Sequence, residues 1–277
     1  MYAIFYLCML NKSYVKGAII SAFVAKKYKP TNVELVCMCD NKLFRYKKYL
    51  LTVFDKVVKI KLLKVASEHH NEKYNWIKYS INKHQIYNYT NYEKILFLDT
   101  DILIFSKKFF NIFKCDAPSF YVRDIAGVKI TKSDFKTFKK YDGSLNTNKI
   151  NYNDEISKFN FFIDAGIMLI KPSEVFYKKY IKFIMNMNNI NNTRQSGIDE
   201  TTMIYYMVKN NINFHILKPQ FNVSSWREKN KNAYSKNYIS KINPWEKNKD
   251  ELWDEEKIWY TLEIAIYKKY PYLKNKI

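Results

Sequence analysis

The stretch Lys94-Ile-Leu-Phe-Leu-Asp-Thr-Asp101 decides how this chain folds. Its apolar run, Ile95 to Leu98, has the length of a strand and needs cover on both faces, which a parallel sheet under helices supplies. The run stops at two carboxylates flanking one threonine, so the strand has to emerge there at an edge that water or a ligand can reach. Ligands of open α/β sheets bind at the carboxyl ends of strands, which makes Asp99 and Asp101 candidate contacts on position alone.

Outward from that strand the pattern alternates. Tyr2 to Leu10 is an apolar run of strand length, and the helix that follows sets Val15, Ala18, Ile19 and Ala22 at helical spacing until Lys29-Pro30 stops it. Val33 to Cys39 reads as a strand, Lys42 to Thr52 as a helix, Val57 to Leu62 as a strand and Trp76 to Tyr89 as a helix. This order predicts an α/β fold with a Rossmann-like, mostly parallel central sheet flanked by helices. Beyond Asp124 the periodicity fades, and the polar stretch 125–160 is expected to be an insertion. Order returns with a buried strand in Phe161-Phe-Ile-Asp-Ala-Gly-Ile-Met-Leu-Ile170, helices from Val175 to Met187 and from Thr201 to Lys209, and a strand from Phe214 to Leu217. Residues 246–277, which carry Trp253, Trp259, Tyr260, Leu262 and Ile266, read as an aromatic-rich terminal helical cap.

Composition bounds the class. A 47% hydrophobic and 17% aromatic chain of 277 residues folds around a core, and the absence of a Pro/Gly/Ser-rich linker argues for one domain. No apolar run has the length of a membrane span, and the start MYAIFYLCML lacks a basic lead and a cleavage site, so a cytoplasmic protein is expected. None of the four cysteines has CxxC spacing; Cys37 and Cys39 are expected on opposite faces of a strand, as reduced thiols. The net charge of +21 suits an anionic partner, but the lysines are spread along the whole chain, so nucleic acid is not the expected one.

Asp99-x-Asp101 puts two carboxylates beside one hard cation, and oxygen ligands suit Mn2+, with Mg2+ as the alternative. Alone the pair is also a common turn or solvated acidic loop. Ser196-x-x-Asp199, ahead of an apolar-periodic segment, reads as a helix-capping pair.

Several ordered motifs resemble glycosyltransferase family eight, in its glycogenin-like branch. They are Asn11-x-x-Tyr14-x-x-Gly17-Ala18, Val53-Phe54-Asp55-x-Val57, Phe97-Leu-Asp-Thr-Asp101, Asp164-Ala165-Gly166, Gly197-Ile-Asp-Glu200 and Pro244-Trp245, over most of residues 1–245. The resemblance implies a GT-A-type single domain over 1–277, with 1–124 as the nucleotide-binding half and 161–245 as the sugar and acceptor half. It implies a UDP-sugar donor, UDP-glucose or UDP-galactose first, a retained anomeric configuration and an acceptor left unspecified. Leu10, Asn11 and Tyr14 would meet the uridine, and Lys83, Asp99, Thr100, Asp164 and Gly166 the rest of the donor. Asp199 and Glu200 would stand beside the sugar as catalytic groups together with Lys83, Glu200 replacing the usual Gln.

The segment Asn237-Tyr-Ile-Ser240-Lys-Ile-Asn243 departs from the family's His-x-x-Gly-x-x-Lys. Asn237 would then be the third metal ligand with Asp99 and Asp101, and Ser240 and Asn243 would face the diphosphate, with Lys241 as a substitute cation. Lys229 occupies the position of the glycogenin acceptor tyrosine, which argues against self-glucosylation. A pseudoenzyme that binds a nucleotide-sugar is the rival reading, and a homodimer is compatible with either.

Overall fold

Strand β1 (Tyr2–Cys8) is buried along almost its whole length because parallel neighbours flank it on both sides: β2 (Val33–Cys39) and β4 (Lys94–Leu98). Strand β3 (Lys56–Lys59) adds to β2, also parallel, giving the order β3-β2-β1-β4. Their apolar runs match a sheet covered on both faces. The computed structural model that shows this describes residues 1–65, 72–124, 161–186, 198–210, 212–225, 232–240 and 242–277. The expected insertion at 125–160, the cap residue Ser196, Gly197, Lys229, Lys241 and the expected helix end at Met187 lie outside the described residues.

The chain forms two compact units, each assembled from separate stretches: Met1–Lys61, Tyr92–Cys115 and Leu217–Ile277 in the first, Leu62–Asn91 and Asp116–Ile216 in the second. The second thus takes 62–91 from the stretch read as the nucleotide-binding half.

In the first unit, α1 (Ser13–Tyr28) follows β1 and ends where expected, because Lys29 ahead of Pro30 adopts an extended conformation that a helix cannot continue. The helix expected over Lys42 to Thr52 is shorter: a 3-10 turn, Leu43–Tyr46, runs into α2 (Lys47–Leu50). A second sheet was not anticipated, since strands of two or three residues carry no readable periodicity. It has the order β5-β10-β9, from β5 (Ile102–Ile104), β10 (Ser235–Asn237) and β9 (Val223–Ser224).

The expected helical cap is also broken. Only α5 (Lys257–Lys269) is α-helical, after 3-10 turns at Pro244–Glu246 and Lys249–Glu251. Pro244 opens the first turn, and an Asn248–Glu251 capping box fixes the second. Trp259 of α5 is fully buried, its ring 5.1 Å from that of Trp245 and 5.5 Å from that of Tyr238. Trp245 in turn lies against α1: a Cβ added at Gly17 would come within 2.6 Å of its ring. Gly17→Ala is therefore expected to force Trp245 out of place and lower stability by about 1–3 kcal/mol, measured as a urea midpoint. An unchanged midpoint would mean that this contact relaxes at no cost.

In the second unit, β6 (Ser119–Asp124) lies between β7 (Phe161–Ile170), antiparallel to it, and β8 (His215–Ile216), parallel to it. Helix α3 (Glu174–Met185) starts on a Ser173 side chain that accepts from Phe176 N, and α4 (Ile198–Lys209) packs on β7. The helix expected over Trp76 to Tyr89 is wound more tightly, as a 3-10 segment Glu72–Asn88. A three-residue repeat aligns positions 77, 80, 83 and 86 in one row. Ile77, Ser80 and Ile86 of that row are buried, which turns the alkyl stem of Lys83 inward with them.

Candidate functional site

Two clusters hold the candidate residues, one in each unit. In the first, Asp99-Thr-Asp101 leaves the carboxyl end of β4 in a turn in which Ile102 N donates to Asp99 O at 3.2 Å. Tyr238 N donates to Asp101 O at 2.9 Å, tying the motif to β10, where the register sets Asn237 opposite Ile102. Asn237 is 3% exposed, and its Oδ1 has no hydrogen-bond partner among the described residues. A buried carbonyl oxygen left without a donor costs about 1–3 kcal/mol, a penalty that a cation would remove. With the carboxylates of Asp99 and Asp101 on the adjoining turn, this amide oxygen would complete an all-oxygen donor set of the kind that suits Mn2+ or Mg2+.

The uridine candidates lie at the carboxyl end of β1. Leu10 has a positive φ of 65° and donates its N–H to Asp40 Oδ2 at 2.7 Å, while Asp40 Oδ1 accepts from Leu43 N at 2.8 Å. Asp40 thus clamps the loop, and only its place just after an apolar strand could have revealed it. Asn11 Oδ1 accepts from Ser13 N at 3.0 Å, so this side chain helps start α1. The Tyr14 ring meets the Trp245 ring edge-on at 6.4 Å. Two motif fragments far apart in sequence, Tyr14-x-x-Gly17 and Pro244-Trp245, therefore meet as packing partners. Ser240 is half-buried, and the Asn243 amide donates to Glu246 Oε2 at 2.6 Å.

The second cluster centres on Asp199 in the first turn of α4. Its Oδ2 lies 3.5 Å from Lys83 Nζ, with side-chain exposures of 1% for Asp199 and 12% for Lys83. Asp199 N donates to Ser80 Oγ at 3.3 Å. Burial opposes ionisation of Asp199, but the Lys83 ammonium and the neighbouring His84 outweigh it and hold the carboxyl below the usual range. His84 is fully buried and edge-on to the Tyr180 ring at 5.0 Å. Burial lowers its pKa to about 4, the Asp199 charge offsetting this only in part. Sequence reading missed His84, whose only signal was its place beside Lys83.

Strand β7 brings the remaining candidates. Its register against β6 jumps from Tyr121↔Asp164 to Phe120↔Met168, so the Asp164-Ala165-Gly166 motif forms an irregularity that frees main-chain groups from the ladder. Gly166 N donates to Asp164 Oδ1 at 2.8 Å, and Ala165 N donates to Glu200 Oε1 at 3.3 Å. The structure therefore brings Lys83 and Asp199 together, and Glu200 together with the Asp164 motif.

No protein-family model and no curated protein matches the chain. Among solved structures it is similar to the glycosyltransferase GlyE of Streptococcus pneumoniae TIGR4, at 13% identity and a TM-score of 0.58, covering 99% of this chain and 65% of GlyE. It is similar to the galactosyltransferase LgtC, solved with donor and acceptor sugar analogs, at 11% identity and a TM-score of 0.59, covering 99% of this chain and all of LgtC. The bifunctional glycosyltransferase WbbM follows at 12% identity and a TM-score of 0.53, with 51% of its length covered. The chain thus spans just under two thirds of GlyE and about half of WbbM. The likeness is one of fold: this is the GT-A glycosyltransferase architecture, α/β with a mostly parallel central sheet. Among the described residues, no helix is long and apolar enough to cross a membrane.

Proposed function

We propose that this chain is a cytoplasmic, retaining hexosyltransferase of the family-eight type, moving glucose or galactose from a UDP-sugar to an acceptor with the help of Mn2+. The observation that carries this reading is the buried Asn237 carbonyl oxygen, without a hydrogen-bond partner among the described residues, on the strand that is bonded to the Asp99-Thr-Asp101 turn at the carboxyl end of β4. Bound there, Mn2+ would neutralise the charge that grows on the leaving diphosphate.

The chain's own residues have separable tasks. Tyr14, Asn11 and Leu10 would receive the uridine on the loop that Asp40 fixes. Lys83 keeps Asp199 ionised, so that a carboxylate is ready to orient sugar hydroxyls and to stabilise positive charge at the anomeric carbon. Glu200, held on Ala165 N, would add a second negative group where the family type has a neutral amide. Placement in the glycogenin-like branch rests on the sequence motifs, and self-glucosylation is not part of the proposal.

A nucleotide-sugar-binding chain without transfer is the second reading. It is favoured by the Asn243 amide, tied to Glu246 where the resemblance expects a phosphate-facing lysine. Hydrolysis of a panel of UDP-sugars with and without Mn2+ separates the two: release of UDP that requires the metal supports transfer, whereas metal-dependent binding with no release supports the second.

Asn237→His tests the metal position. Imidazole is the stronger donor for Mn2+, so the variant is expected to bind Mn2+-UDP more tightly than wild type and to lose that gain below about pH 6.5, where the ring takes a proton. Calorimetric titration across pH showing neither change would remove Asn237 from the metal site.

A further inference from the structure

The expectation that Cys37 and Cys39 face opposite sides of β2 fails, because residues two apart on a strand share a face. Their sulfurs lie 3.6 Å apart. The parallel register sets Cys8 of β1 directly beside Cys39, and Cys8 Sγ is 3.6 Å from Cys37 Sγ. All three sulfurs fall within 4.8 Å of one another, and all three residues are fully buried. Cys8 Sγ also donates to Tyr14 O at 3.5 Å, which places the cluster beneath the start of α1.

We propose that Cys8, Cys37 and Cys39 form a buried binding site for one soft, thiophilic cation, Zn2+ or Cu+. The geometry matches: two sulfurs on a tetrahedral ion with Zn–S bonds of about 2.3 Å sit about 3.8 Å apart, close to the spacing already present. The chemistry of the donors selects the ion. No carboxylate or imidazole joins the three sulfurs at that range among the described residues, so a hard cation such as Mn2+ has no reason to enter. A set of exactly this size also suits three-coordinate Cu+, whereas Zn2+ would need a fourth ligand from outside it. The site is distinct from the Asp99 and Asp101 cluster, and its failure or success leaves that assignment untouched.

The position gives the ion a structural consequence. Cys8 leads into the loop read as the uridine site, and Cys39 is followed at once by Asp40, which holds Leu10 of that loop, so an ion bridging β1 and β2 would fix the loop at its root and, through Asp40, at Leu10. Each thiol gives up its proton on binding, so affinity should rise with pH.

The test uses the full chain, purified under reducing conditions and treated with chelator. Anaerobic titration with Zn2+ and separately with Cu+, against a competing chromophoric chelator, is expected to give one ion per chain, and the tighter of the two identifies the occupant. Co2+ should give a thiolate-to-metal charge-transfer band in the near ultraviolet. Loading should raise the thermal midpoint by on the order of 5 °C. Cys37→Ala and Cys39→Ser should each weaken binding by roughly two orders of magnitude or more. Cys115→Ser, which alters the one cysteine outside the cluster, should bind as wild type, as should Asp101→Asn. Circular dichroism checks that each variant folds, and the Co2+ band in wild type reads the site even where a variant does not. Failure of both Zn2+ and Cu+ to bind stoichiometrically, binding unchanged in a folded Cys37→Ala or Cys39→Ser, or recovery of a disulfide in place of a bound ion would overturn the proposal.

Discussion

Asp199→Asn is expected to lower turnover of a UDP-sugar by roughly 100- to 1000-fold, the usual cost of removing one preorganised charged group from a reacting centre. The same change should also cost stability. Lys83 is largely buried, and a neutral amide in place of Asp199 removes a counter-charge 3.5 Å from its ammonium, a penalty of up to about 3–5 kcal/mol. The two effects separate in a double variant. Lys83→Met with Asp199→Leu replaces the pair by apolar side chains of similar size and should recover most of the lost stability, yet turnover should stay low. Urea midpoints and single-turnover rates read the two quantities independently. Full turnover in Asp199→Asn, at any stability, would make the ion pair a structural feature only.

The second large effect is on acid stability, and it belongs to His84. In the fold its pKa lies near 4, against about 6.5 for an ordinary imidazole. Between those values the unfolded chain binds a proton that the folded chain refuses. Stability from this group is therefore full above about pH 6.5 and falls as the pH drops toward 4, by about 3 kcal/mol in all. Asp199 acts in a lower window. Its folded carboxyl titrates below the usual range, so its contribution is present above about pH 3.9 and is lost only further down. Urea midpoints from pH 7 to 4.5 should thus report mainly His84, and His84→Phe, which keeps a ring against Tyr180, should flatten the curve. A wild-type curve already flat across this range would contradict the burial argument.

Particular elements show why some of the molecule was readable in advance. Strands β1, β2 and β4 were legible because parallel strands covered on both faces leave unbroken apolar runs, and the Lys29-Pro30 stop of α1 because proline restricts the residue before it. Strands β5, β9 and β10 were not legible: they are too short for periodicity, and β5 exists through pairing with β10 across more than a hundred residues. Asn237 could be placed only by its spacing from Pro244-Trp245, since an asparagine announces nothing. The helix read over Trp76 to Tyr89 begins four residues earlier, at Glu72, and is wound as a 3-10 helix, and the tighter winding is what turns Lys83 inward. Gly17 looked like a motif glycine and proved to be a packing one. The thiol cluster escaped notice because spacing rules read one segment at a time, whereas β1 and β2 bring Cys8 to Cys39 by register.

The central claim, a metal-held nucleotide-sugar at the end of β4, is tested most directly by titrating UDP into the wild-type chain and into Asp101→Asn, each with and without Mn2+. Wild type is expected to bind UDP tightly only when Mn2+ is present, and Asp101→Asn to lose that metal-dependent gain while melting at the wild-type temperature. UDP affinity that ignores Mn2+ in the wild type, or that survives unchanged in Asp101→Asn, would contradict the account.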